Sequence, residues 1–371
     1  MLLRRGGGVI GGRVLVALVP DAAGELARGR EVVLVTGTNG KSTVTAMLAR
    51  ALALRGPVAS NADGANTMGG LVATLARSSA GQAVLETDEG WLPWAVRRLS
   101  PRAVVLLNLS RDQLHRHPEL GALAATWRAA LRDVPLVIAN CDDPAVTWAA
   151  SGAKHVVWVA GGSSWREDSL VCPACGGLVR WSGAYWWCDC GLARPTQSPT
   201  AWQPVSVHLP GEINRINARA ALTAAAALGV APQRASEAVA ALREIAGRYG
   251  EFPVPDHTVR LLLAKNPASW REALRLVAEE GHPVVLALNA EGVDGRDPSW
   301  LYDVDFTPIR EQVVAVAGRR GTDLSVRLAL DEVGTVGQFG DVVAAVERLP
   351  VGPVDIVGTY TAFQEARRRL A

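Results

Sequence analysis

Lysine is scarce in this 371-residue chain, which has three lysines against thirty-five arginines. A charge excess of either sign is also missing, because 38 basic and 36 acidic side chains leave a net charge of +2. We therefore expect no nucleic-acid partner, since such proteins present a concentrated basic field. No uninterrupted apolar run reaches membrane-spanning length, and we expect a soluble, cytoplasmic protein.

The first 30 residues combine early arginines with an apolar stretch, MLLRRGGGVIGGRVLVALVP. A signal peptide is the alternative interpretation, but glycines and Arg13 interrupt its apolar core. We expect residues 1–30 to form an arm or helix that packs on the first domain.

Because lysine is rare, the position of Lys41 is informative. An apolar run, Glu31 to Val35, leads into a glycine-containing turn, then Lys41-Ser42-Thr43 and a helical pattern. This is the strand–loop–helix context of a phosphate-binding loop. A loop and helix N-terminus of this kind bind ATP phosphates, with Lys41 neutralising their charge and Ser42 reaching Mg²⁺. The predicted ATP-binding residues of the loop are Thr38, Asn39, Gly40, Lys41, Ser42 and Thr43.

The generic phosphate-loop pattern is incomplete, because the glycine expected five residues before Gly40 is Val35. A tight turn before a buried helix is the alternative. Two strand ends nevertheless support a metal–triphosphate site. Glu86 ends an apolar run and is the predicted Mg²⁺ ligand, while Asp88 and Glu89 are alternatively solvated loop charges. The strand from Ala103 to Leu107 ends in NLSRDQL, where Asp112 alternatively belongs to a helix N-terminus.

Four of the five cysteines lie close together, at Cys172, Cys175, Cys188 and Cys190. The C-x₂-C and C-x-C pairs flank a short hairpin, a spacing suited to tetrahedral Zn²⁺. Disulfides are the alternative, which the context of an intracellular ATP user disfavours. Four thiolates leave no open coordination position, so the predicted zinc is structural. Cys141 is interpreted as an ordinary buried thiol.

Asn214 and Asn217 precede an Ala-rich helix expected from Ala218 to Leu228. Their amides are candidates for reading an adenine edge, and helix capping is the alternative. A linker at 246–250 then marks a domain boundary.

After the linker the strand and helix patterns restart. Apolar strands are expected at Val259–Leu263, Val284–Leu288, Val313–Ala317 and Val354–Val357, with helices between them. This alternation predicts a second, smaller parallel α/β domain. Lys265 follows the first of these strands and is a candidate phosphate contact, whereas Lys154 has no motif and is assigned to the surface. The predicted domains are an arm at 1–30, an ATP-binding domain at 31–247 with a zinc ribbon at about 168–195, and a C-terminal domain at 251–371.

The motif TGTNGKST, at Thr36 to Thr43, resembles the Mur ligase and folylpolyglutamate synthase superfamily. Over most of its length the chain resembles the MurT family, the ligase subunits of bacterial lipid II isoglutaminyl synthase. The resemblance rests on that motif together with NADGANTMGG, LETDEG, NLSRDQL, CPAC…CDC, GEINRINA, LAKNPASW and DGRDPSWLYDVDF.

The resemblance implies a Mur ligase-type ATP domain and a Rossmann-like C-terminal domain. It also implies MgATP-dependent amidation of the D-glutamate α-carboxylate of lipid II through an acyl phosphate. A GatD-like glutamine amidotransferase would form a heterodimer with the chain and supply ammonia, and the membrane would be contacted only through the lipid-linked substrate. By the same resemblance Lys41 and Glu86 are catalytic, and Asp297 completes the partner's Cys–His pair.

From its sequence context alone, Asp297 before Pro298 is typical of a turn, and Asp294, Asp303 and Asp305 are its rivals. The chain departs from the family at His115 and His117; a metal site is one interpretation of such a pair, and we place both on a solvent-facing turn. Its short N-terminal part predicts that the substrate-binding domain of other Mur ligases is absent. Two rival functions are a stand-alone amino-acid ligase of the Mur or folylpolyglutamate type and a zinc-ribbon nucleic-acid module. The ribbon with DGRDPSW argues against the first, and the near-zero net charge against the second.

Overall fold

The structure is a computed structural model that describes residues 7–61, 64–111, 119–161, 165–198, 207–243 and 249–370. The described residues group into two compact units. Unit 1 comprises those within 1–110 and 116–243, and unit 2 those within 111–115 and 244–371.

Unit 1 is built on a six-stranded sheet with the order β2-β3-β1-β4-β5-β6, and all its neighbouring strands are parallel. The central strands are buried along nearly their whole length, as expected for a parallel sheet covered on both faces. The strands are β1 (Glu31–Thr36), β2 (Val58–Ser60), β3 (Gln82–Glu86), β4 (Ala103–Leu106), β5 (Val137–Asn140) and β6 (Val156–Val159).

Helices flank this sheet. Alternate strand residues such as Val32, Leu34 and Leu85 share one core with α2 and α4 to α7, while α3 packs against α8 and α9. The helices of unit 1 are α1 (Gly7–Leu18), α2 (Ala22–Ala27), α3 (Lys41–Leu52), α4 (Met68–Ala76), α5 (Leu92–Leu99), α6 (Leu120–Ala130), α7 (Pro144–Ala150), α8 (Glu212–Ala227) and α9 (Pro232–Ala240). Helix α1 packs on α4 within unit 1, and the separate N-terminal arm at 1–30 stays a prediction.

A small antiparallel hairpin follows β6 in the chain. It consists of β7 (Val179–Ser182) and β8 (Tyr185–Cys188). Its own core contains Val179, Trp186 and two of the four clustered cysteines. The Trp186 indole donates to the Cys141 carbonyl oxygen over 3.0 Å, which joins the hairpin to the end of β5.

Unit 2 contains a second six-stranded sheet, with the order β13-β12-β11-β14-β10-β9. Its strands are β9 (Tyr249–Val254), β10 (His257–Leu263), β11 (Val284–Ala287), β12 (Val314–Ala317), β13 (Thr335–Phe339) and β14 (Gly352–Gly358). Neighbours are parallel except for β9, which runs antiparallel to β10 at one edge and contains Pro253. At the other edge the β12–β13 register shifts between Val314 and Val316.

In the described part of unit 2 the helices are α10 (Pro267–Glu280), α11 (Gly321–Leu330), α12 (Val342–Val346) and α13 (Tyr360–Leu370). In its interior Arg260 of β10 and Asp355 of β14 are cross-strand neighbours. The Arg260 guanidinium donates two hydrogen bonds of 2.6 and 2.7 Å to the Asp355 carboxylate. Asp355 is fully buried. A bidentate pair of this kind supplies each charge with its partner away from water.

Short 3₁₀ helices complete the connections, at Ala53–Arg55, Glu89–Trp91, Leu131–Asp133, Glu167–Ser169, Gly292–Asp294, Ser299–Asp303 and Thr307–Ile309. The predicted α/β fold, with its hairpin insertion and second parallel-sheet domain, is confirmed. The predicted domain bounds stay predictions. Of the linker predicted at 246–250, residues 246–248 lie outside the described part of the chain, whereas Tyr249 and Gly250 begin strand β9 and are not a linker. Among the described helices, none is long and apolar enough to cross a bilayer.

Candidate active site

The loop between β1 and α3 turns through two glycines. Gly37 and Gly40 have positive φ angles of 142° and 85°, and α3 begins directly afterwards at Lys41. A Cβ atom on Gly40 would lie 2.5 Å from the Asn217 side-chain oxygen. Glycine is thus required there both by backbone geometry and by the close approach of α8.

Side chains that follow β4 hold this loop in place. The Asn39 backbone N–H donates to the Asn108 side-chain oxygen over 2.9 Å, and the Asn108 amide donates back to the Asn39 carbonyl. The Thr38 hydroxyl accepts from the Ser110 N–H and donates to the Ser110 carbonyl. The carboxyl ends of β1 and β4 are therefore fastened together beneath the loop.

Lys41 is buried at the first position of α3, with 5% of its surface exposed. Its ammonium donates to the carbonyl oxygens of Gly37 and Thr38 and to the Glu89 carboxylate, the last over 3.1 Å. The prediction that Glu89 is a solvated loop charge is wrong, because Glu89 is buried against Lys41. Asp88 is partly exposed and accepts a hydrogen bond from the Gly90 N–H.

Ser42 and Glu86 meet in the same place. The Ser42 hydroxyl donates to the Glu86 carboxylate over 2.6 Å, and Glu86 is fully buried at the end of β3. The Asn66 amide donates to the other carboxylate oxygen, and the Asn61 side chain bonds both the N–H and the C=O of Glu86. Sequence reasoning missed Asn61 and Asn66, although both lie in the polar NADGAN segment after β2.

This donor set fits Mg²⁺. The Ser42 hydroxyl and the Glu86 carboxylate are hard oxygen ligands, and they lie within hydrogen-bonding distance of each other beside Lys41. The carboxyl ends of parallel strands are the usual ligand-binding edge of an α/β sheet. Thr43 lies buried in the first turn of α3, whose N-terminus favours an anion.

The predicted amide pair lies on α8, which begins at Glu212 rather than at Ala218 as expected. Asn214 lies inside α8 and donates to the Pro210 carbonyl over 2.7 Å, and α8 has no side-chain cap, so the capping alternative does not apply to Asn214. Asn217 is buried and lies against Gly40 of the loop. Of the two amides, Asn217 is therefore the one that the structure brings to the loop.

The two other lysines occupy different settings. Lys265 follows β10 in unit 2, where its backbone N–H donates to the Ser269 hydroxyl at the start of α10. Its predicted phosphate contact stays a prediction. Lys154 is exposed and pairs with Asp133, in keeping with its assignment to the surface. Asp112, His115 and His117 lie outside the described residues.

The four clustered cysteines converge around one point. Their sulfur atoms all lie within 4.8 Å of one another, with 3.7 Å between Cys172 and Cys190 and 3.5 Å between Cys175 and Cys188. A tetrahedron of Zn–S bonds about 2.3 Å long has edges of about 3.8 Å. The cluster therefore fits a tetrahedral metal.

The surroundings of these sulfur atoms also suit a metal. Burial raises the pKa of Cys172 to about 12, so its thiolate needs a nearby cation. The backbone N–H of Leu192 bonds the Cys190 sulfur and lowers the pKa of that thiol to about 7. Cys141 lies apart from the cluster, and burial raises its pKa to about 11, in keeping with an unreactive thiol.

The four aspartates of the DGRDPSWLYDVDF segment make different contacts. Asp294 accepts hydrogen bonds from the N–H and the hydroxyl of Thr361 at the start of α13, and burial raises its pKa. Asp303 pairs with Arg111, and Asp305 bonds Thr307.

Asp297 is exposed and accepts from the Ser299 N–H over 2.9 Å. Three residues further along the chain, Trp300 packs against the buried Trp270, which in turn contacts Phe306.

The buried carboxylate of Asp143 had no role in the predictions from the sequence. Asp143 precedes α7 and accepts hydrogen bonds from the backbone N–H groups of Leu109, Ala145 and Val146. Burial raises its pKa to about 6 in spite of these bonds. Asp143 therefore joins the chain after β4 to the start of α7.

Comparison with known proteins agrees with this geometry. Residues 35–225 match the Mur ligase middle domain, and residues 263–363 match the MurT ligase C-terminal domain. The chain is 27% identical to the lipid II isoglutaminyl synthase (glutamine-hydrolyzing) subunit MurT of Streptococcus pneumoniae, an alignment that covers 98% of this chain and 92% of that protein.

Solved structures show the same fold at lower identity. MurF from Acinetobacter baumannii is 17% identical with a TM-score of 0.71, over 96% of this chain and 80% of that one. The Mycobacterium tuberculosis folylpolyglutamate synthase complexed with ADP is 16% identical with a TM-score of 0.64, over 99% and 95% of the two chains. The resemblance to MurT proteins stated from the sequence is confirmed. Since the middle-domain match spans more than half of its residues, the chain belongs to the Mur ligase family and carries the C-terminal domain of MurT ligases.

Proposed function

We propose that this chain is the ligase subunit of a glutamine-dependent lipid II isoglutaminyl synthase. It is an ATP-dependent ligase that amidates the D-glutamate α-carboxylate of the lipid II stem peptide to D-isoglutamine. The observation that carries the proposal is a buried Lys41–Ser42–Glu86 cluster in a chain that also has a MurT C-terminal domain. The relatives named as subunits of such a synthase support the substrate and the complex.

The reaction proceeds in two steps, phosphorylation of the carboxylate and then amidation. A substrate carboxylate oxygen attacks the γ-phosphorus of ATP, which releases ADP and leaves an acyl phosphate. Ammonia then attacks the acyl carbon, inorganic phosphate leaves, and the nitrogen loses a proton to give the amide. MgATP, when bound, supplies the phosphoryl group and part of the charge neutralisation.

The chain's own residues position and neutralise the phosphates. Lys41 provides the cation beside the loop, and the N-terminus of α3 adds its backbone N–H groups. Ser42 and Glu86 hold Mg²⁺, with Asn61 and Asn66 fixing the carboxylate. The loop from Thr38 to Thr43 cradles the phosphates, and Asn214, Asn217 and Lys265 complete the proposed nucleotide contacts.

Ammonia comes from a GatD-like glutamine amidotransferase that forms a heterodimer with this chain. Asp297 orients the histidine of the partner's Cys–His pair, fixing its tautomer and stabilising the imidazolium. Its exposure supports this role, because a second protein can reach it, whereas Asp294 is engaged by α13. The four cysteines hold a structural Zn²⁺ ion. The complex works in the cytoplasm, at the inner face of the membrane that carries the substrate.

The deciding experiment measures lipid II amidation in detergent with purified chain and glutaminase subunit. Lys41→Ala should reduce ATP-dependent amidation by about 100-fold or more, because a buried cation is removed from the phosphate site. Lys154→Ala is the matched control and should behave as wild type, since Lys154 makes an exposed ion pair. Full activity of Lys41→Ala would refute the assignment of the ATP site.

A second pair of assays tests the division of labour. Asp297→Asn should abolish the glutamine-dependent reaction and spare the reaction driven by concentrated ammonium. Loss of both reactions would place Asp297 in the synthetase site instead. Amino-acid ligation by the chain without any glutaminase would favour a stand-alone ligase.

A further inference from the structure

The N-terminal helix α1 presents a row of large apolar side chains to the surface. Ile10, Val14 and Leu18 are 65%, 51% and 76% exposed. They are spaced four residues apart, so they form a stripe about 12 Å long on one side of the helix. An aligned row of this kind differs from the isolated apolar residues that any surface carries.

The opposite side of α1 fixes the helix in this orientation. A Cβ atom on Gly12 would lie 1.8 Å from the Gly69 carbonyl oxygen, and one on Gly69 would lie 2.6 Å from the Val9 carbonyl. The helices α1 and α4 therefore touch backbone to backbone. Leu15 and Val16 on the same side pack against the core of unit 1. Rotating α1 to bury its outward stripe would break this contact, so the stripe stays exposed.

The charge of this segment has one sign. Residues 1–20 contain Arg4, Arg5 and Arg13 and no aspartate or glutamate. Arg13 is exposed on α1, with the stem of its side chain against Gly69 of α4. Since the whole chain has a net charge of only +2, this is a local cationic excess. Apolar residues on one helix face together with arginines are typical of helices that lie in the plane of an anionic membrane surface.

We infer that the α1 stripe of Ile10, Val14 and Leu18, assisted by Arg13, binds the anionic surface of a lipid bilayer. The 12-residue helix is about 18 Å long, too short to span a hydrocarbon core of about 30 Å, so it lies along the surface. This inference rests on the proposed function, in which the substrate is anchored in a membrane. It adds a direct contact to the one made through the substrate.

The test is vesicle co-sedimentation of the full chain without nucleotide or substrate. Vesicles of phosphatidylcholine with about 30% phosphatidylglycerol should bind the protein, and binding should weaken with salt and in pure phosphatidylcholine. Replacing the stripe (Ile10→Ser, Val14→Ser, Leu18→Ser) should weaken binding at least about tenfold. The matched control replaces Val326 and Leu330, exposed at the same four-residue spacing on α11, and should bind as wild type.

A second variant keeps the inference falsifiable if the stripe variant folds poorly. Arg13→Gln leaves the apolar stripe intact and should reduce both the affinity for anionic vesicles and its salt dependence. No binding by wild type, or unchanged binding by the stripe variant, would overturn the inference. So would a stripe variant that still binds vesicles but no longer co-elutes with the glutaminase subunit, because the stripe would then be a protein interface.

These outcomes are independent of the chemistry. Amidation of detergent-dispersed substrate reports on the proposed function and should be equal in wild type and stripe variant. Amidation of substrate embedded in vesicles should fall only in the stripe variant. An inactive protein that still binds vesicles through α1 would refute the proposed function and leave the membrane contact standing.

Discussion

Replacing Gly40 by alanine tests the phosphate loop where its geometry is most demanding. Gly40 has a φ of 85°, a left-handed conformation that costs an L-residue roughly 1–2 kcal/mol. The added Cβ would also lie 2.5 Å from the Asn217 oxygen, so that amide must retreat by roughly 0.9 Å to reach an ordinary contact of 3.4 Å. Both effects disfavour the loop conformation seen in the structure.

The expected loss of ATP affinity follows from the backbone strain at position 40. If the loop leaves this conformation to relieve 1–2 kcal/mol of strain, the binding-competent fraction falls, and ATP affinity falls roughly 5- to 30-fold with it. Displacement of Asn217 adds to the loss if its amide contacts the nucleotide. Isothermal titration calorimetry with ATP and Mg²⁺ measures the affinity, and thermal unfolding reports the change in stability.

Gly29→Ala is the matched control. Gly29 also has a positive φ, 75°, but a Cβ there would meet no atom within 4 Å. Gly29 precedes β1, at the end of the strand opposite the loop, so the control should lower stability without changing ATP affinity. Equal ATP affinity in Gly40→Ala and Gly29→Ala would refute the reasoning, because the strain would then have no bearing on the phosphate site.

Three further predictions concern the metal cluster, a buried acid and the unit 2 core. The purified chain should contain about one zinc ion, and Cys175→Ser should abolish that content and lower the thermal midpoint of unit 1; a metal-free wild type of undiminished stability would contradict a structural zinc. Burial raises the pKa of Asp143 from 3.8 to about 6, so the folded state keeps a proton that the unfolded state loses. Its contribution to the free energy of unfolding should therefore fall by about 3 kcal/mol as pH rises from about 4 to 6, and Asp143→Asn should remove that slope in urea titrations; an unchanged slope would refute the shift. Asp355→Ala should destabilise unit 2 by about 3–5 kcal/mol because it leaves the buried Arg260 with only the more distant carboxylate of Glu280, at 3.6 Å, whereas Asp189→Ala, in an exposed pair, should cost no more than about 1 kcal/mol in the same unfolding assay. Equal losses in these two variants would show that the buried pair is not tightly coupled.

Features encoded locally were predictable from the sequence. The glycine turn before Lys41 and the cysteine spacing depend on residues close together in the chain, and the structure contains both the turn and a compact sulfur cluster. The strand ending at Glu86 was expected for the same reason, since an apolar run followed by a carboxylate is a local pattern. The roles assigned to these residues in binding and catalysis stay predictions.

Features that depend on distant contacts were not predictable. The sequence does not reveal that Glu89 is buried, because the Lys41 ammonium that neutralises it comes from 48 residues away. The bonds from Asn61 to Glu86 likewise join segments separated in the chain. Helix α8 begins at Glu212, before its apolar pattern. Its start could not be recognised from the sequence because Gly211, the residue before it, provides no side-chain cap.

Five strands were also missed, β2, β5 and β6 of unit 1 and β9 and β13 of unit 2. Strands β9 and β13 lie at the two edges of the unit 2 sheet and are only partly buried, so neither has the continuous apolar run that identified the central strands.

The two edges of the unit 2 sheet have a consequence for assembly. Pro253 on β9 has no N–H to offer a neighbouring strand, and the irregular register at β13 interrupts the regular ladder on the other side. Another polypeptide therefore cannot readily add a strand to either margin. A subunit that docks on unit 2 should contact helices and loops, such as the segment around Asp297. It should leave the rate of backbone amide hydrogen exchange in both edge strands unchanged.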